Sequence, residues 1–170
     1  MTKLIITGMP RTGMGYVGNF LNKKGYKVDL ANFLPYKFNR QKLKDLVTEN
    51  ELFNVHVGHF YIQYLETLFK YYNYKTIILL RDKKEIVESV KQWKFNPYHQ
   101  KKLNGAESYP YHCKNVDTAT HYYFDEYTKK LEDIRRRYSD KILIINTKDL
   151  NNKECLNKIL NYCDENVKKI

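Results

Sequence analysis

The 170-residue sequence has only three cysteines, four prolines, seven glycines and one tryptophan. Cys113, Cys155 and Cys163 are odd in number and show no metal-ligand spacing. That excludes a stapled small scaffold and a zinc-type fold, and points to free thiols in a reducing compartment. No apolar run approaches the ~20 residues of a membrane span. The opening, MTKLIITGMP, has an apolar run of about four residues against the roughly 7–15 of a signal-peptide core. The expectation is a cytoplasmic protein. No internal repeat or low-complexity tract is present. Acidic residues are the minority, 19 against 30 Lys and Arg, for a formal net charge of +11. Such a field favours anionic partners and says nothing about fold. Clusters at Lys101–Lys102, Arg135–Arg137 and Lys168–Lys169 read as solvated basic surface. The length and the 42% hydrophobic content suit one domain, residues 1–170, with a real core.

What is present is alternation. KLIIT (3–7), YKVDL (26–30), FNVHV (53–57), KTIILL (75–80) and KILIIN (141–146) read as strands. Between them, Thr12–Lys24, Arg40–Glu49, Phe60–Tyr72, Lys84–Trp93, Asp117–Tyr138 and Asn151–Val167 carry helical apolar spacing. Lys94–Asn115 is polar, broken by Pro97, Gly105 and Pro110, and reads as a long functional loop. Apolar strands without a polar face, alternating with helices, predict an α/β fold with a mostly parallel sheet covered on both sides. Ligands of such sheets sit at the carboxyl ends of strands. Three features fall there: a glycine loop after 3–7, Gly58–His59 after 53–57, and Arg81 after 75–80.

The loop is GMPRTGMGY, Gly8 to Tyr16. Gly8 and Gly13 have the separation of a Walker loop, but Met14 and Gly15 stand where lysine and Ser/Thr would be. The magnesium-binding hydroxyl and the lysine clamp of ATP sites are therefore missing. Helix N-terminal amides still favour an anion, and Arg11 adds a guanidinium suited to an oxyanion. The loop suits an anion without a metal.

These residues resemble the PAPS-dependent sulfotransferases, in which a basic residue, serine, glycine and two hydroxyl residues follow a strand and bind the 5′-phosphosulfate. Arg11, Thr12 and Gly13 match that pattern, whereas Met14 and Gly15 depart from it. In LLRDKKEIVESV, Arg81 at a strand end and Ser89 eight residues later match the pair that binds the nucleotide 3′-phosphate. The Gly58-His59-Phe60 segment looks like the catalytic histidine segment of several branches. It implies His59 as general base, with His56 inside the strand as the alternative. Thr147-Lys148-Asp149-Leu150 is a weaker match to a Glu-Asp-Leu turn, departing at the first position. The resemblance covers about residues 3–93 and 141–163 and implies a P-loop-like sulfotransferase fold. It also implies transfer of a sulfuryl group from PAPS (3′-phosphoadenosine 5′-phosphosulfate) to a hydroxyl or amine, releasing PAP. Arg11 and the backbone from Thr12 through Gly13, Met14 and Gly15 to Tyr16 would hold the phosphosulfate, Arg81 and Ser89 the 3′-phosphate, and no metal is expected. The acceptor is unidentified, and the basic charge suits an anionic one.

Two other readings stand beside it. A divergent P-loop kinase must explain the missing lysine and magnesium ligand. A basic module for polyanion or nucleic acid fits the charge, but the charge is scattered and no nucleic-acid motif is present. His99, His112, Cys113 and His121 lack ligand spacing and read as solvent-facing.

Overall fold

The computed structural model describes residues 2–30, 53–92, 113 and 115–167. The helix expected over 40–49 and most of the loop expected over 94–115 lie outside these residues. Lys168 and Lys169 do too.

Five strands form one sheet: β1 (Lys3–Gly8), β2 (Val28–Asp29), β3 (Val55–Val57), β4 (Tyr74–Leu80) and β5 (Ile142–Asn146). Their order is β2-β3-β1-β4-β5, and every adjacent pair is parallel. The helices are α1 (Met14–Lys23), α2 (Leu65–Tyr71), α3 (Lys83–Gln92), α4 (Val116–Arg137) and α5 (Lys153–Asn166). The expected α/β architecture, a parallel sheet between helical layers, is what the chain forms.

The period of two along each strand sorts the core onto two faces. Leu4 and Ile6 of β1 and Ile77 and Leu79 of β4 pack with Val17 and Leu21 of α1 and Ile159 and Cys163 of α5. Ile5 and Ile78 face the other way, against Leu65 and Leu68 of α2, Ile86 and Val90 of α3, and Tyr127, Leu131 and Ile134 of α4. Parallel strands buried on both faces must be apolar throughout, which is why β1 and β4 lack a polar alternation. Truncating a fully buried member such as Ile77 to alanine removes about 2–5 kcal/mol.

Three details differ from the sequence reading. The helix expected over 60–72 is split into a 3-10 turn, His59–Gln63, and α2, with Tyr64 between them. His59, Phe60, Tyr61 and Ile62 are all buried in succession, which a one-sided amphipathic α-helix cannot achieve. The second strand shrinks to Val28–Asp29. Cys113, expected to face solvent, is buried, whereas the His121 side chain is about half exposed.

β1 and β4 are neighbours whose onward connections run to opposite sides, β1 toward β2 and β4 toward β5. That is a topological switch point, where open α/β sheets leave a crevice at the strand carboxyl ends.

Candidate anion-binding site

β1 ends at Gly8, and five residues, Met9 to Gly13, turn the chain into α1. Thr12 is fully buried, and its hydroxyl donates to the Met9 carbonyl at 2.7 Å. Gly8 sits against β4, where an added Cβ would lie 2.7 Å from the Leu79 carbonyl oxygen. Two loop residues lie in the left-handed region, Arg11 at φ 69° and Gly13 at φ 85°. For Arg11 that conformation costs on the order of 1–2 kcal/mol, so something must hold it. Two side chains from other strand ends do. Arg81 Nη1 donates to the Arg11 carbonyl at 2.9 Å, and the Thr147 hydroxyl donates to the Thr12 carbonyl at 2.9 Å.

The first helix bond of α1 runs from Val17 N–H to the Gly13 carbonyl, so the N–H groups of Met14, Gly15 and Tyr16 stand ahead of it. α3 is capped by Asp82, α4 by Asn115 and α5 by Asn152. Among the described residues no side chain caps α1. Its start keeps the partial positive charge that an anion complements.

Arg81, at the exit of β4, also donates from Nε to Glu85 Oε2 at 2.8 Å, one turn into α3. The Glu85 side chain is 59% exposed, and an exposed i,i+4 pair is worth about 0.3–0.5 kcal/mol, so a better anion displaces it easily. Arg11 Nε lies 3.1 Å from Ser89 Oγ, a contact between residues 78 apart in sequence. Arg11 thus lies against two other residues expected to hold anions, Ser89 through its side chain and Arg81 through its carbonyl; Ser89 does not itself border the cleft. Arg11, Gly13, Arg81, Asp82, Glu85 and Thr147 border a cleft of about 870 Å³. That size admits a nucleotide.

His59 follows Gly58, whose N–H donates to the Ile6 carbonyl at 3.0 Å. The Thr7 hydroxyl donates to the His59 carbonyl at 3.2 Å, which pins the turn to the end of β1, one residue before the loop. The ring is largely buried, edge-on to Phe60 and Tyr123 at 5.9 and 6.0 Å between centroids. It does not border the cleft. Burial pushes the phenols of Tyr123 and Tyr127 well up, so both stay neutral. His56 is fully buried within β3, its Nδ1 3.5 Å from Asp29 Oδ2.

Glu85 and Thr147 have no site role in the sequence reading. Thr147 is visible only as part of the weakly matching turn, because its tie to Thr12 spans 135 residues.

Neither a protein-family model nor a curated protein matches the chain. Solved structures do. A sulfotransferase domain from the curacin biosynthetic pathway superposes with a TM-score of 0.61 at 14% identity, over 96% of this chain and 72% of that one. A shikimate kinase from Bacteroides thetaiotaomicron gives 0.48 at 16% identity, covering 96% of each chain. An uncharacterized protein from Eubacterium ventriosum gives 0.44 at 14% identity, over 96% of this chain and 98% of that one. The last two scores are too low for a shared fold to be read from them. The chain has the parallel-sheet fold of the sulfotransferase domain, and at this identity the likeness is one of fold alone.

Proposed function

We propose that the chain is a sulfotransferase acting as one domain over residues 1–170, with PAPS as donor. The observation that carries this reading is the meeting of Arg11, Arg81 and Ser89 beside an uncapped helix start, at a loop lacking the Walker lysine and hydroxyl. A donor with a phosphate at each end of its ribose needs two separated anion seats, and this edge of the sheet offers two. The first-turn amides of α1 suit the phosphosulfate, where charge builds on the leaving phosphate as the bond to sulfur breaks. Arg81 and Ser89 suit the 3′-phosphate and fix the donor's position.

In the reaction, an acceptor oxygen or nitrogen attacks sulfur and forms the new S–O or S–N bond. The bond from sulfur to the bridging phosphate oxygen breaks, and PAP leaves with that electron pair. His59 takes the acceptor's proton. Its place at the carboxyl end of β3, tied by Thr7 to the strand that launches the loop, supports that role. The basic surface suits a polyanionic donor and an acidic acceptor.

Calorimetric titration with PAP, ADP and ATP, each with and without Mg²⁺, tests the reading. Metal-independent PAP binding stronger than that of ADP is expected. Preference for Mg-ATP would replace the reading with a kinase. Binding of none of them would leave a basic module for polyanions.

A further inference from the structure

The proposed reading gives the 3′-phosphate two holders, Arg81 and Ser89. We propose that Arg11 is the third, and that it sets the preference of the site for a nucleotide phosphorylated on the ribose 3′ position. The inference rests on the nucleotide reading above.

By its place in the sequence Arg11 belongs to the loop and would be expected over the 5′ end of the donor. Its guanidinium instead crosses to α3, with Nε 3.1 Å from Ser89 Oγ. Its carbonyl is held by Arg81 Nη1 at 2.9 Å. One residue thus touches both proposed holders, through its side chain and through its backbone. The left-handed backbone of Arg11 persists while Arg81 grips that carbonyl, so Arg81 also shapes the third holder.

Charge argues the same way. A phosphate monoester carries close to two negative charges at neutral pH. Arg81 carries one positive charge, so with Glu85 displaced it still leaves a dianion only half compensated. A second guanidinium at the same seat meets that demand and adds planar donors that a lysine lacks. The 5′ end of the donor is then left to the amides at the start of α1.

The test is calorimetry on the full chain with adenosine 3′,5′-bisphosphate and with 5′-AMP, which differ only in the 3′-phosphate. Wild type, Arg11→Ala and Arg11→Lys are compared. Arg11→Ala is expected to weaken the bisphosphate by about ten- to a hundredfold, with 5′-AMP unchanged within about twofold. Arg11→Lys falls between, and it keeps the comparison available if the alanine variant does not fold. Equal weakening of both nucleotides would place Arg11 on the 5′-phosphate and overturn the proposal, as would no change in either. If wild type fails to distinguish the two nucleotides, the nucleotide reading fails and takes this proposal with it.

Discussion

Gly13 and Gly15 stand two positions apart at the head of α1 and tolerate opposite things. Gly13 has φ 85°, and an added Cβ would meet Leu150 Cδ1 at 3.0 Å. Gly15 has a helical backbone and nothing within 4 Å of an added Cβ. Gly13→Ala should therefore cost about 1 kcal/mol or more, whereas Gly15→Ala should gain about 0.5–1 kcal/mol through helix propensity. Urea unfolding of the two variants checks both signs, and equal shifts would contradict the loop geometry. At this scale the sequence offers Arg11, Arg81 and Ser89 as candidates, because each carries a charge or hydroxyl in the loop after a strand, at a strand end or about two helical turns beyond one. It shows Thr147 poorly. A hydroxyl that caps a distant carbonyl leaves no local pattern.

α2 and α4 are joined by ions as well as by their apolar faces. Arg137 donates to both carboxylate oxygens of Glu66 and to Asp133, and Lys130 lies 3.7 Å from Glu66. Hydrogen bonding to Arg137 is the main cause that holds both carboxyls below their ordinary values of 4.5 and 3.8. Groups with depressed folded pKa values stabilise the fold above those ordinary values. That contribution fades as pH falls through the lower folded values. Arg137→Ala should lower stability at neutral pH slightly and flatten the loss of stability on acidification below about pH 4.5. Thermal melts across pH at low salt measure it, and the difference should shrink in high salt because the groups are exposed. Helix existence was legible here from apolar spacing. The break at Tyr64 was not, because consecutive buried residues look like helix until the packing partner on α4 is known.

Over the whole molecule, alternation in the sequence predicts the layers and the parallel sheet. The order β2-β3-β1-β4-β5 is beyond it, since strand order depends on which crossover passes over which strand. The site inherits both: its residues come from the strand ends, and its place comes from the order. The net charge of +11 acts at this scale too. On the proposed donor, PAP association should be fastest at low ionic strength and slow several-fold as the Debye length falls from about 10 Å toward about 3 Å between 0.1 and 1 M salt. Stopped-flow binding measures this, and a salt-independent rate would mean the field plays no part.

The tie from Thr147 to Thr12 has a consequence in time. The loop is held by residues 70 and 135 positions away, and Arg11 meets a partner 78 positions away. Such closures come late in folding, after local helices have formed. If the proposed donor is right, helical signal should return during refolding before the capacity to bind PAP, and Thr147→Val should lengthen that lag without delaying the helices. A chain emerging from synthesis would acquire this site only once β5, at Ile142–Asn146, has emerged and docked.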